Sequence, residues 1–187
     1  MRVALFGGSF NPPHLGHQLL AFYVLETAAV DELWFIPCWK HPFDKDLESF
    51  THRFRMTELA AAALGPRARV SDIESRLGGE KSRTLLTIKG LQALHPEHEF
   101  FLVMGADLVP ELPSWYGSEE LRRSVPLLVV GRGGYPGQFP LCMPMVSSTE
   151  IRNRLHKGQS VQGLVCISVL AYISEQGLYG PSSDDET

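Results

Sequence analysis

The chain has 187 residues, 44% hydrophobic and 20% charged, with a formal net charge of −4, the balance of one soluble globular domain large enough to bury most of its apolar surface without staples. The acidic balance argues against a general nucleic-acid binder, and three scattered cysteines, Cys38, Cys142 and Cys166, argue against a disulfide framework or a zinc site. No run reaches membrane-spanning length and the start has no leader pattern, so a cytoplasmic location with no membrane partner is expected.

Val3 to Phe6 form a short apolar run that stops at Gly7-Gly8, as a strand buried on both faces does. The chain then passes through Ser9, Phe10 and Asn11-Pro12-Pro13 into an apolar helix expected over 16–29, carrying Leu19, Phe22 and Leu25. Strand, glycine-rich loop and helix in this order make a phosphate cradle, because backbone N–H groups and the helix N-terminus both favour an anion. Neither GxGxxG nor GxxxxGK[ST] is present. What stands there instead is His14 and His17 around Gly16, two imidazoles able to point at one phosphate, each donating one hydrogen bond when neutral and two when charged. Taken alone, such a pair reads more readily as capping or core histidines.

ELWFIP at 32–37 reads as the second buried strand, and CWKHPFDKDLE at 38–48 as a loop at its C-terminal end, where open α/β sheets bind ligands. A helix is expected from Thr51, with Met56, Leu59, Ala60, Ala63 and Leu64 as its apolar stripe and Arg53 off it. Residues 67–74 suggest a short third strand, RLGGEKSR a polar loop, and Thr84 to Leu94 a helix with Leu85, Ile88, Leu91 and Leu94 on one side. EFFLVM is a clear strand running into Gly105-Ala106-Asp107, a second strand-to-glycine junction where a ligand can approach the backbone.

LPSWYGSEELRRS then gives a loop and a short helix, Pro126 to Val130 a further strand, GRGGYPGQFP turns, and LCMPM a short strand. VSSTEIRNRL carries an N-cap signal and a helix. A last helix is expected with Val161, Val165, Val169 and Tyr172 on one face, ending near Gly177. Residues 181–187, PSSDDET, read as an acidic disordered tail. Alternating strands and helices make residues 1–180 one α/β domain with a mainly parallel sheet.

GGSFNPPHLGH resembles the HxGH signature of nucleotidyltransferases, and with HRFRMTELA, VMGADL, LPSWY, VSSTEIR and YISEQGLY it is similar, over nearly the whole chain, to the bacterial nicotinate-nucleotide adenylyltransferase family. The resemblance implies a Rossmann-like doubly wound sheet with helices on both faces. It implies transfer of AMP from ATP to nicotinate mononucleotide, with Mg²⁺ arriving on the ATP and no protein metal site. By position it puts Gly7, Gly8, Ser9, Phe10, His14, Gly16 and His17 at the ATP, with Gly105 and Asp107 by the adenosine and Ser147, Ser148, Thr149 and Arg152 on its outer phosphates. His14, His17 and Arg152 would be the catalytic set. Lys40, His41, Ser82, Arg83, Thr84 and Trp115 would meet the mononucleotide.

Read without the resemblance, SSTEIR is also an ordinary capped helix, Asp107 also an N-cap, and Trp115-Tyr116 also a packing pair. Two places depart from the family pattern: Lys40-His41-Pro42-Phe43 replaces the usual PPH, leaving Lys40, His41 or Lys45 for any phosphate contact, and Arg83 replaces an aromatic residue before Thr84. Arg83 either adds a cation beside a carboxylate or faces solvent. Other acceptors, nicotinamide mononucleotide among them, and a non-catalytic nucleotide sensor are the competing readings.

Overall fold

The computed structural model describes residues 1–41, 46–132, 134–135, 137–138 and 142–180. Six strands, β1 (Arg2–Gly8), β2 (Glu32–Pro37), β3 (Ala68–Val70), β4 (Glu99–Gly105), β5 (Leu127–Arg132) and β6 (Cys142–Met143), form one sheet in the order β3-β2-β1-β4-β5-β6. Each named pairing is parallel. This is the doubly wound order expected. The chain reverses its direction of growth between β1 and β4, so the sheet's switch point, where folds of this order commonly take a ligand, lies beyond Gly8 and Gly105.

Alternation along β1 sends Ala4 and Phe6 into one core and Val3 and Leu5 into the other. The first core also takes α1 (Leu15–Thr27), and the second takes α4 (Thr84–Leu94) and α5 (Ser118–Ser124). A third cluster joins α2 (Phe50–Ala62), α6 (Ser148–His156) and α7 (Ile167–Glu175) through Met56, Ala60, Ile151, Val169 and Ile173. Among the described residues no helix is long and apolar enough to cross a membrane.

Several local expectations are corrected. α1 buries Gln18, Leu20, Ala21, Val24 and Leu25, leaving Leu19 and Phe22 exposed; the helix is apolar on most sides, so periodicity did not pick its inner face. Segment 67–74 divides into the three-residue β3 and the start of α3 (Ile73–Leu77). Leu94 is exposed. The stretch after β4 is a 3-10 helix, Ala106–Ser114. Val161 and Val165 are buried but lie before α7 rather than in it, because Gly158 and Gly163 take positive φ values that a helix cannot continue through. Only Cys142–Met143 of LCMPM is strand, Leu141 lying outside the described residues with Pro42, Phe43, Lys45 and the expected tail.

The largest correction concerns α2. Arg53, expected off the apolar stripe, is 1% exposed and is the largest fully buried side chain among the described residues. The inner face of the helix is Arg53, Met56, Thr57, Ala60 and Ala61. Its stripe is therefore one turn longer than apolar residues alone reveal.

Candidate active site

The loop after β1 is held by packing before any ligand is considered. Phe10 takes φ 48, a left-handed conformation costly for a residue with a side chain. Its ring lies 5.7 Å from Phe6, 5.6 Å from Phe35 and 4.9 Å from His17, all centroid to centroid, and is 1% exposed. Burial of that ring, on the order of 2–3 kcal/mol, exceeds the local strain. A Cβ on Gly8 would sit 2.9 Å from the Phe10 ring, so Gly8 is small to admit an aromatic neighbour, and Phe10 packs as core.

His14 caps α1 with extended backbone, and its N–H donates to His17 Nδ1 at 3.2 Å. That bond fixes the His17 tautomer: Nδ1 is an acceptor, so the ring's proton is on Nε2. The two imidazoles stack at 3.7 Å. A Cβ on Gly16 would meet the His14 ring at 3.1 Å and Val146 at 3.3 Å, so what a side chain there crowds first is His14 itself. Burial, then the Arg132 guanidinium, lowers the His14 pKa to about 4. Burial, then His14, then Arg132, holds His17 well below the ordinary value. Both rings are neutral at pH 7, which resolves the one-donor or two-donor alternative in favour of one each.

The His14 displacement makes stability pH-dependent. Between about 4 and the ordinary 6.5 the unfolded chain binds a proton that the folded chain does not, so the contribution is complete above pH 6.5 and is lost as pH falls through that window. The full displacement corresponds to about 3 kcal/mol. Denaturant unfolding of wild type and His14→Asn at pH 7 and pH 4.5 should show wild type losing about 2 kcal/mol more than the variant on acidification. Parallel losses would remove His14 as the cause.

Elements far apart in sequence close over this loop. Ser147 caps α6 by accepting from the Glu150 N–H at 3.2 Å, as the hydroxyl run suggested. Ser148 Oγ donates to the Pro12 carbonyl at 2.9 Å, and Arg152 donates to the Asn11 carbonyl at 2.7 Å and to Thr149 Oγ1 at 3.4 Å. Asn11 is buried, and its Oδ1 accepts from Tyr179 Oη at 2.6 Å and from the Glu48 N–H at 3.2 Å. The His14/His17 loop and the start of α6 thus form one polar wall.

A second cation joins it. Arg132, at the end of β5, donates to Asp107 at 3.3 Å and to the Val146 carbonyl at 3.0 Å. Asp107 is not the cap of its 3-10 helix, which is Gly105. One carboxylate oxygen, Oδ2, is engaged by Arg132, and the other, Oδ1, is buried without a hydrogen-bond partner among the described residues. A Cβ on Gly105 would collide with that second oxygen. Arg132 was not singled out from sequence. Its signal was available: a cation directly after a buried strand, at the edge where Gly7 and Gly105 were noticed.

On the β2 side, Lys40 N–H donates to Ser82 Oγ at 3.2 Å and Ser82 N–H donates to the Lys40 carbonyl at 2.9 Å, joining two of the expected mononucleotide segments. Arg83 lies over the Tyr116 ring at 5.4 Å. Trp115 is half-buried against the second core, and Tyr116 is the more exposed of the pair. Thr84 begins α4. His41 borders the residues outside the description.

The two sides are tied by Arg53. Its guanidinium donates to the carbonyls of Ser9 at 2.9 Å, Glu48 at 2.9 Å and Trp39 at 3.3 Å, and lies 3.8 Å from Cys38 Sγ. Burial pushes the Cys38 thiol up, against the pull of Arg53, so it is a neutral neighbour. Buried Glu74 accepts from the Trp39 N–H at 3.0 Å and from Thr87 Oγ1 at 2.9 Å. Periodicity could not flag Arg53 or Glu74, because a buried charge is legible only once its partners are in place.

A hard dication takes oxygen ligands, and these residues offer mainly imidazoles and cations. Among the described residues, the one group of three or more His, Cys, Asp or Glu able to hold an ion is elsewhere. The donor set suits an ion carried in on a polyphosphate rather than one resident in the protein.

The family profile described as cytidylyltransferase-like matches residues 5–154. Probable nicotinate-nucleotide adenylyltransferases of Anaeromyxobacter sp. (strain K) and Myxococcus xanthus (strain DK1622) are 43% and 40% identical, the first over 95% of this chain and 96% of its own length, the second over 96% and 95%. The fold is similar to that of the Plasmodium falciparum nicotinic acid mononucleotide adenylyltransferase complexed with NaAD, at TM-score 0.81 and 23% identity over 95% of this chain and 97% of that one.

Proposed function

Because the chain belongs to the cytidylyltransferase-like family and, within it, to the nicotinate-nucleotide adenylyltransferases, we propose that residues 1–180 act as one domain that joins ATP and nicotinate mononucleotide into nicotinate adenine dinucleotide and pyrophosphate. The reaction is a step of NAD biosynthesis, carried out in the cytoplasm. The observation that carries the site assignment is the closure of α6 on the histidine loop, through Arg152 to the Asn11 carbonyl at 2.7 Å and Ser148 to the Pro12 carbonyl at 2.9 Å. It supports reading the two helix N-termini, the two neutral imidazoles and the guanidinium of Arg152 as facing one triphosphate, with Arg132 beside them.

The mononucleotide phosphate attacks the ATP α-phosphorus in line. A new P–O bond forms as the bond to the bridging oxygen breaks, and pyrophosphate leaves. The acceptor phosphate is already ionised near neutral pH, so no residue need act as base. The protein's work is positioning and stabilising charge on the equatorial oxygens: His14 and His17 at the α-phosphate, Ser147, Thr149 and Arg152 at the outer phosphates, Gly105 and Asp107 by the ribose. Magnesium accompanies the triphosphate as part of the substrate. A pyrophosphate-release assay with ATP and a panel of phosphate acceptors tests the reading: nicotinate mononucleotide should give the highest kcat/KM, and no release with any acceptor would overturn it.

Arg152→Ala should weaken ATP binding about 10–100-fold in calorimetry, the scale for losing hydrogen bonds to a charged group. Unaltered affinity would remove Arg152 from the phosphate site. On the acceptor side, the cation held over Tyr116 is set to read an acid. Arg83→Ala should lower the nicotinate-to-nicotinamide mononucleotide ratio of kcat/KM by about tenfold, the scale of one charge-assisted contact. A ratio unmoved by the substitution would mean that Arg83 does not face the pyridine carboxylate.

A further inference from the structure

We propose that His95, Glu97 and His98 form a binding site for a divalent transition-metal ion of the zinc type, at the end of the sheet away from the candidate active site. The three lie in the turn from α4 to β4, before the first residue of the strand. The strand's seven residues put about 20 Å between this turn and Gly105.

Each residue offers one donor atom, and all three atoms fall within 4.8 Å of one another. Glu97 Oε1 lies 3.1 Å from His98 Nδ1 and 3.7 Å from His95 Nδ1. Donors around a tetrahedral zinc at bond lengths near 2.0–2.1 Å stand about 3.4 Å apart, so the two measured spacings bracket the required one. The set of two imidazoles and one carboxylate is a zinc donor set with a fourth position left for water.

Both histidines lie within ion-pair distance of Glu97, an arrangement that a shared ion would also require. The His98 side chain is only 9% exposed, and its Nδ1 is buried without a hydrogen-bond partner among the described residues, despite the carboxylate 3.1 Å away. The pair is close, but it is not aligned as a hydrogen bond. The rings are also held in place beforehand. His95 and His98 stack at 5.2 Å and 12°, and the Trp34 ring abuts both edge-on at 5.3 and 5.9 Å. Trp34 is itself anchored by its Nε1 donating to Glu32 at 2.7 Å. A ligand set whose rings are already ordered loses little entropy on closing around an ion.

The test is a calorimetric titration of the untagged chain with zinc chloride at pH 7.5 without nucleotide, beside Glu97→Gln, His95→Ala and His98→Ala. One zinc per wild-type chain is expected, in the low micromolar range, with no response to magnesium. Glu97→Gln should weaken it at least about tenfold, and either histidine substitution should abolish it. Glu97 is exposed and His95 partly so, so these two variants keep the test decisive if His98→Ala folds poorly. Absence of zinc binding by wild type overturns the proposal. So does wild-type affinity in Glu97→Gln and His95→Ala, which would put the ion on other histidines, His14 and His17 included.

Discussion

His17→Ala should lower kcat about 10²–10³-fold while changing KM for ATP much less. In the proposed reaction the imidazole, neutral in the free protein, does not serve as an acid, and its part is one donated hydrogen bond. With Nδ1 accepting from the His14 N–H at 3.2 Å, that bond comes from Nε2. The ring is wedged by stacking on His14 at 3.7 Å and edge contact with Phe10 at 4.9 Å, which removes the reorganisation a mobile donor would need. A fixed donor placed where charge grows in the transition state contributes about 2.7–4 kcal/mol, and an interaction made mainly there appears in kcat rather than in KM. The same neutrality in the free protein predicts that the histidine pair adds no titration to kcat/KM between pH 6.5 and 8, since both rings lose their protons well below that range. Steady-state pyrophosphate release, with a melting curve to show that the variant is folded, measures this. Turnover within about threefold of wild type would exclude His17 from the reaction.

The second large effect is expected at a residue that touches no reacting atom. Arg53→Ala should destabilise the fold by about 3–5 kcal/mol, because it removes a fully buried side chain and the shared donor of three part-buried carbonyls, those of Ser9, Glu48 and Trp39. For a chain of this size that is a fall in melting temperature on the order of 10 °C. Arg53→Lys separates charge from geometry. An ammonium carries its three donors on one nitrogen and cannot span three carbonyls from two loops as a planar guanidinium does, so most of the stability loss should remain. As Ser9 belongs to the histidine loop and Trp39 to the mononucleotide side, KM for both substrates should rise together in Arg53→Lys assayed below its melting point. A melting temperature within about 2 °C of wild type for Arg53→Ala would show that the two loops hold without it.

The two cases divide cleanly by what a linear chain can express. The α/β alternation, the central strand at Val3–Phe6 and the strand at 99–104 were legible because buried parallel strands are short apolar runs bounded by glycine and proline. The histidine pair and the capped Ser147–Arg152 segment were legible because their signals are local, lying within a few residues of one another. The burial of Arg53 and Glu74, the part of Arg132 beside Asp107, the tie from Tyr179 to Asn11 and the inner face of α1 were not. Each depends on carbonyls, N–H groups or apolar surface contributed from dozens of residues away or more. Local pattern sets which elements form and what chemistry they carry. Which face a helix buries and which charge has a partner inside are settled only when distant segments meet, because a buried polar group is stable solely in the company that desolvated it.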